Sequence, residues 1–186
     1  NSPSVPEGEW THISLVREEI DSGVEVSLWV NGESNGPVSV ATAAISHGET
    51  WVGCVGGTTT ILPALIDELR WREGAHPPES VPAAPVTPDA STLLLYHFDD
   101  VAPGVAVDAT GWGRHGAWQG CLRTDETPFE GQAGTCDVPW CHHAGLAFHP
   151  NAEAVGKIEG TGAMTGLQTL TVELYVRLDA TTAGQV

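Results

Sequence analysis

The fold class is decided by residues 24–32, which read VEVSLWVNG. Apolar residues occupy every second position from Val24 to Val30, and this is the period of a β-strand with one buried face. The dipeptide Asn31-Gly32 ends the run, and it is a strong signal for a hairpin turn. The stretch therefore predicts a strand that turns back on itself.

The same period of two recurs along most of the chain. Further strand patterns lie at residues 11–17, 51–54, 65–71, 92–98, 144–148, 154–159 and 172–178. No helical stripe of useful length accompanies them, and glycine-rich turns separate the strands. We expect an all-β fold, a two-sheet antiparallel sandwich. The alternation also predicts one shared strand face, formed by Leu65, Asp67, Leu69 and Trp71.

The composition excludes two classes of partner. The 186 residues include only 7 Lys and Arg against 24 Asp and Glu, for a net charge of −17. Such a chain does not bind nucleic acid by neutralising phosphates. No apolar run approaches the roughly 20 residues that a membrane-spanning helix needs. An acidic surface instead suits solubility and the binding of hard cations such as calcium.

A proline-rich stretch divides the chain. Residues 76–88 contain five prolines and no strand pattern, so residues 76–91 are predicted to form an extended, semi-rigid linker. The linker separates residues 1–75 from residues 92–186, which do not look like copies of each other. Because the sequence begins with Asn1 and stops soon after a strand pattern, we expect it to be part of a longer protein.

Short motifs on both sides of this stretch carry a family resemblance. The first set is EWTHISLV at 9–16, VSLWVNG at 26–32, WVG at 51–53 and LIDELR at 65–70. The second set is LLYHFDD at 94–100, VDATGWGRHG at 107–116, GLAF at 145–148 and LTVELYV at 170–176. The first set resembles the closing strands of laminin-G-like, concanavalin A-like jelly-roll domains, and the second resembles the opening strands.

The resemblance implies a jelly-roll sandwich in an unusual order, because the closing half precedes the opening half. The chain is either a window across two tandem domains or a permuted, incomplete single sandwich whose halves pack together. The family's middle strands are not found in the sequence, which leaves sheet edges unpaired. Such edges can be completed by strand addition from other copies or neighbouring repeats, and we expect homo-oligomeric contacts there.

Four acidic residues are candidate calcium ligands. Asp67 is predicted on an apolar face, where a carboxylate must be paired, hydrogen-bonded or metal-bound. In the permuted packing Asp99 and Asp100 come from the adjacent strand, and Asp108 lies in a glycine-rich loop whose carbonyl groups suit calcium. Calcium is common in the related jelly rolls. The alternative is that Asp67 accepts backbone N–H groups and that the other three are solvated turn residues.

The cysteines Cys54, Cys121, Cys136 and Cys141 are predicted to form disulfides in an oxidising compartment. Four cysteines allow three connectivities. We favour Cys121–Cys136 with Cys54–Cys141, and any bridge from Cys54 would tie the two halves together. Two alternatives use Cys136, Cys141 and His142, either as zinc ligands, with His143 as a further candidate, or as a variant haem-attachment signature. No haem is expected.

Catalysis has little support in the sequence. No nucleophile motif or phosphate-binding loop occurs, and adjacent acids on one strand point to opposite faces, so they cannot flank a glycosidic bond. Trp29 and Tyr175 either form a sugar-stacking platform or pack against a second layer.

We expect no enzyme but an extracellular or cell-surface binding or adhesion module of a multi-domain or repetitive protein, with a carbohydrate or protein ligand and calcium. The alternative is a structural subunit of an extracellular filament or sheath that assembles through strand edges.

Overall fold

Strands account for all of the regular structure that is described. The computed structural model describes residues 4–40, 50–52, 63–99, 105–119, 122–124, 128–129, 145–148, 155–158 and 166–178. Within these ranges there is no helix, and every pairing between strands is antiparallel. The strands are β1 (Thr11–Ile20), β2 (Gly23–Val30), β3 (Glu33–Ser34), β4 (Val38–Val40), β5 (Thr50–Val52), β6 (Ala64–Glu73), β7 (Thr92–Tyr96), β8 (Val105–Ala106), β9 (Gly116–Gln119), β10 (Leu122–Thr124), β11 (Gly145–Phe148), β12 (Val155–Ile158) and β13 (Leu170–Leu178).

The strands form one large and one small sheet. The large sheet has the order β10-β11-β6-β13-β1-β2-β3, with β7 also paired to β6 and β4 also paired to β2. The small sheet has the order β5-β12-β9-β8. Both sheets mix strands from residues 1–75 and 92–186, since β13 lies between β1 and β6, and β5 pairs with β12.

The hairpin predicted from residues 24–32 is confirmed. β2 pairs with β3 across a two-residue turn at Asn31 and Gly32, whose φ angles are 49° and 80°. Two positive φ angles define the type I′ turn, which matches the twist of the flanking strands. The side chain of Asn31 also accepts a hydrogen bond from the His12 backbone N–H at 2.9 Å, so the turn is tied to β1.

The two sheets pack against each other through one apolar face. This core contains Ala64, Ile66, Leu69, Leu94, Tyr96, Phe98 and Val176, together with Ala106 of the small sheet. Each fully buried large apolar side chain stabilises the fold by roughly 1.5–3 kcal/mol. The prediction of an all-β fold with two packed antiparallel sheets is confirmed.

The shared face predicted for Leu65, Asp67, Leu69 and Trp71 is wrong. A β-bulge interrupts β6, because Arg70 pairs with Glu173 but Asp67 pairs with Tyr175. Glu68 lies at the bulge with a φ of 52°. One extra residue reverses the alternation. Leu69 and Trp71 therefore face the core, whereas Asp67 lies on the opposite face of the large sheet.

That opposite face carries His12, Ser14, Arg70, Glu173 and Tyr175, and we call it the polar face. Although its residues are polar, this face is buried, since His12 is 2% and Ser14 0% exposed. The proline-rich segment, residues 76–88, crosses it and contains no strand. The Tyr175 hydroxyl donates to the Pro82 carbonyl, and the Val86 N–H donates to Glu68 Oε2 at 3.0 Å.

Within the residues described, no helix has the length and apolar character needed to cross a membrane.

Candidate functional site

The predicted calcium ligands that the structure describes are Asp67, Asp99 and Asp108, and they do not form a metal-binding group of three. Asp67 is 2% exposed, and its Oδ1 accepts the Glu68 backbone N–H at 2.8 Å. Asp99 is half-buried, and Asp100 lies outside the described residues. In the described part of the chain, no three Asp, Glu, His or Cys side chains are grouped so that they could hold a metal ion. Calcium binding by these acids stays a prediction.

Asp108 organises its own loop. It is 4% exposed, and its carboxylate accepts hydrogen bonds from the backbone N–H groups of Thr110 and Arg114, both at 3.1 Å. The hydroxyl of Thr110 and the N–H of Leu95 donate to it as well, at 2.7 and 3.3 Å. A buried carboxylate needs such donors. Asp67 accepts a backbone N–H group, as the alternative to calcium binding describes, whereas Asp108 is a buried acceptor and not the solvated turn residue of that alternative.

The Asp108 loop, residues 107–115, holds a tryptophan out towards solvent. Trp112 is 70% exposed, between Gly111 and Gly113, whose φ angles are 80° and 72°. Only glycine adopts that backbone region readily. The guanidinium carbon of Arg114 lies 5.6 Å from the Trp112 ring centroid, a cation–π contact. The same guanidinium donates to the carbonyl of Leu93 on β7, so the pair is anchored to the large sheet.

A second group of polar side chains lies on the polar face. Nε and Nη2 of Arg70 both lie 2.5 Å from Oε1 of Glu173, its cross-strand neighbour. The other oxygen of Glu173 lies 3.5 Å from Nε2 of His12. The His12 ring stacks at a tilt on Tyr175, with 5.0 Å between centroids. We call these four residues the charged cluster.

The protonation of the charged cluster follows from its burial and charges. Burial alone would raise the pKa of Glu173, but hydrogen bonds from His12 and Arg70 and the positive charge of Arg70 outweigh it. The pKa of Glu173 therefore lies below its ordinary value. Burial, together with the negative charges of Glu68, Glu173 and Asp67, raises the pKa of the Tyr175 hydroxyl. Glu173 is thus a carboxylate, and Tyr175 a neutral hydroxyl, across the neutral pH range.

Tyr175 is a packing residue rather than part of an exposed sugar platform. It is 5% exposed, and its ring lies between His12 and Phe129, 5.3 Å from the Phe129 centroid. Trp29 is half-buried and donates from Nε1 to the Ser27 hydroxyl at 3.1 Å. Of the two alternatives for these aromatic residues, Tyr175 follows the packing one.

Sequence reasoning missed the charged cluster and the Trp112–Arg114 pair. A period of two places His12, Ser14 and Glu173 opposite the apolar stripes of their strands, and nothing local shows that a proline-rich segment covers that face. The available signal was the tetrapeptide Gly111-Trp112-Gly113-Arg114, since a large aromatic residue between two glycines is typical of an exposed loop tip. The cysteines Cys54, Cys121, Cys136 and Cys141 lie outside the described residues, so the disulfide, zinc and haem interpretations stay predictions.

A scan against protein-family models finds no match to the chain, and searches of curated proteins and of solved structures find no significant similarity. The laminin-G-like resemblance therefore rests on the sequence motifs alone.

Proposed function

We propose that the chain is an extracellular or cell-surface binding or adhesion module whose ligand is a carbohydrate or a protein. The proposal includes the finer fold assignment, a permuted or incomplete jelly-roll sandwich of the laminin-G-like kind. The motif order supports that assignment, as does the way in which strands from both sides of the proline-rich segment share each sheet.

One observation carries the proposal, namely the exposed Trp112 on a loop whose backbone is tied down at Asp108. An exposed tryptophan loses solvent contacts on binding without losing much conformational freedom, provided that its backbone is already fixed. Tryptophan and arginine are the side chains most enriched among residues that dominate binding energy. Trp112 and Arg114 bring these two residue types together, with 5.6 Å between the guanidinium carbon and the indole ring centroid. A flat indole face suits a sugar ring or a protein side chain equally.

The test is a glycan array, combined with a binding screen against extracellular matrix proteins, on the natural chain and on Trp112→Ala. We expect a ligand that binds the natural chain and loses at least about tenfold in affinity with Trp112→Ala. Val38→Ala, also an exposed position, serves as the matched control and should bind normally. Equal binding by Trp112→Ala, with unchanged thermal unfolding, would rule out this loop as the site.

A chelator arm of the same experiment tests calcium. If calcium orders the loops, a chelator weakens binding and added calcium restores it. Ligand binding that is the same with chelator and with calcium would remove calcium from the proposal while leaving the Trp112 site intact.

A specific observation also favours the second candidate, a structural subunit that assembles through strand edges. Among the described strands β4 has no partner on its outer side. Val38 and Val40 on β4 are 64% and 42% exposed, and Leu28 on the adjacent strand is 40% exposed. An exposed apolar edge strand is a template for pairing with another chain. Ordered filaments that form without any ligand, and that Val38→Lys abolishes, would favour this function; a monomer at all concentrations would exclude it.

A further inference from the structure

A cavity of about 410 Å³ lies between the polar face of the large sheet and the start of the proline-rich segment. Its floor contains Arg70, Arg72 and Glu173. Arg70 and Arg72 are two residues apart on one strand, so their side chains leave the same face about 6.6 Å apart. The volume falls within the roughly 300–1,000 Å³ that is typical of small-molecule sites. The cavity is separate from the Asp108 loop and does not depend on the function proposed for it.

Arginine nitrogens in the floor lack a hydrogen-bond acceptor among the residues that the structure describes. Arg70 uses Nε and Nη2 on Glu173. Arg72 donates from Nε to the Ser91 hydroxyl and from Nη2 to Asp89 Oδ2, both at 3.0 Å. No described residue accepts a hydrogen bond from Nη1 of either arginine. Both guanidinium groups therefore keep N–H groups available to a molecule in the cavity.

The acceptors near the floor are already occupied or face solvent. The carboxylate of Glu173 is engaged by Arg70 and His12. The side chain of Asp89, the counter-charge of Arg72, is 46% exposed, so water and salt screen it. Glu79 lines the cavity but is an exposed residue. The lining thus holds two cations, Arg70 and Arg72, against the carboxylates of Glu79 and Glu173, so an anion is attracted by the open N–H donors rather than by a net positive charge.

The wall opposite the floor is conformationally restricted, and it carries proline rings beside the polar residues His76, Glu79 and Ser80. Pro77, Pro78 and Pro82 contribute to it, and their rings fix φ and carry no N–H group. The wall is held in place at both ends, because the His76 N–H donates to the Thr171 hydroxyl at 2.8 Å and Tyr175 donates to the Pro82 carbonyl. A preformed site loses little conformational freedom when it binds a ligand.

We propose that this cavity binds a small organic oxyanion, a molecule that carries a carboxylate or sulfate group, with Arg70 and Arg72 donating to the anionic oxygens. A guanidinium group presents paired N–H donors that can bind two oxygens of a carboxylate or of a sulfate at once, which no other side chain does. The proline rings supply the apolar contact for the rest of the molecule. A neutral molecule of the same size would leave the arginine N–H groups without charged acceptors, and it binds more weakly.

Calorimetric titration of the full chain at low ionic strength tests the site, with sodium D-glucuronate as the carboxylate probe, sodium sulfate as the sulfate probe and D-glucose as the neutral match. We expect at least one anion to bind at a single site and glucose to bind at least about tenfold more weakly. Which anion binds more tightly identifies the oxyanion group. Failure of both anions to bind, or equal binding of glucose, overturns the proposal.

Variants then place the anion in this cavity. Arg72→Gln should weaken anion binding by at least about tenfold. Glu79→Gln removes a repelling charge and should tighten it about two- to fivefold, whereas Asp21→Asn, an equal charge change in the β1–β2 turn, should leave it unchanged. Unchanged binding in a folded Arg72→Gln variant overturns the proposal. If that variant does not fold, Glu79→Gln decides: tighter binding supports the site, and unchanged binding overturns it.

Discussion

Arg70 and Glu173 face each other across β6 and β13, 103 residues apart in the sequence, with Nε and Nη2 of the arginine 2.5 Å from one carboxylate oxygen. Their side chains are only 11% and 7% exposed. Both charges are therefore removed from water, and each depends on the other. The pair connects the two parts of the chain that the proline-rich segment separates.

Removing one charge of this pair should be far more harmful than removing both. We expect Glu173→Gln to lower the free energy of unfolding by about 3–5 kcal/mol, because it leaves the Arg70 cation buried without a counter-charge. The double variant Arg70→Met with Glu173→Leu should lie close to the natural chain, since a hydrophobic replacement of a buried ion pair is often neutral or stabilising. Chemical denaturation of Glu173→Gln, of Arg70→Met and of the double variant measures this. Additive losses in the double variant would show that the pair acts as two independent residues.

Glu173 should also make the fold sensitive to acid. Its folded pKa lies below the ordinary value of 4.5, so the unfolded chain takes up the proton at a higher pH than the folded chain does. The stabilisation is complete above pH 4.5 and is lost as the pH falls through the folded pKa. Thermal unfolding of the natural chain and of Glu173→Gln measures this stabilisation. A pH series from about 2 to 7 spans the range in which carboxyl groups titrate.

The difference between the two melting curves isolates this residue, because the other acidic residues are common to both proteins. We expect the gap in melting temperature to shrink steadily below pH 4.5. A gap that stays constant down to the lowest pH would mean that the carboxylate of Glu173 is not stabilised in the folded state.

Asp108 should be structural, and its two substitutions should differ. Asp108→Ala removes the acceptor of four donors, including the buried N–H of Leu95, and we expect a loss of about 3 kcal/mol. Asp108→Asn keeps one acceptor oxygen in the same shape and should cost about 1 kcal/mol. Thermal unfolding measures both, and the tryptophan side-chain N–H signals in NMR spectra report whether Trp112 stays fixed. Equal losses for the two variants would contradict this account of the loop.

Local patterns predicted the parts of the fold that local physics controls. The hairpin at Asn31-Gly32 was readable because a type I′ turn needs two positive φ angles, which this dipeptide favours. The strands β1 and β13 were readable from their period of two, but their burial does not follow that period, since Leu15 is 38% exposed and Ser14 is buried. The bulge at Glu68 was not, because its sequence carries no glycine at the residue with positive φ, and the contacts that hold it, His97 and the Val86 N–H, are distant in the chain.

The same reasoning explains the missed site. A period of two predicts that polar residues such as His12 and Ser14 face water, yet both are buried. The proline-rich segment was predicted as a linker from its composition alone, and composition does not show what a segment packs against. Sequence periodicity assigns a residue to a face of its strand, but only the tertiary structure determines whether that face is covered.

Gly116 should not tolerate a side chain, because of Tyr96. A Cβ at Gly116 would lie 3.3 Å from Cε2, Cζ and Oη of the tyrosine ring. Tyr96 is 0% exposed, and its hydroxyl donates to the Arg114 carbonyl at 2.5 Å, so the ring has little room to move. We expect Gly116→Ala to lower the free energy of unfolding by about 1–3 kcal/mol, which is the usual cost of overpacking.

The Tyr96→Phe background provides the control for this last prediction. Phenylalanine lacks the hydroxyl that both meets the added Cβ and holds the ring to Arg114, so the ring can shift away. Gly116→Ala should therefore lower the free energy of unfolding by less in the Tyr96→Phe variant than in the natural chain. A double-mutant cycle from chemical denaturation measures the coupling between the two substitutions, which we expect to be about 0.5 kcal/mol or more. A coupling of zero would show that the cost comes from the Cε2 and Cζ contacts, which phenylalanine keeps, and not from the hydroxyl.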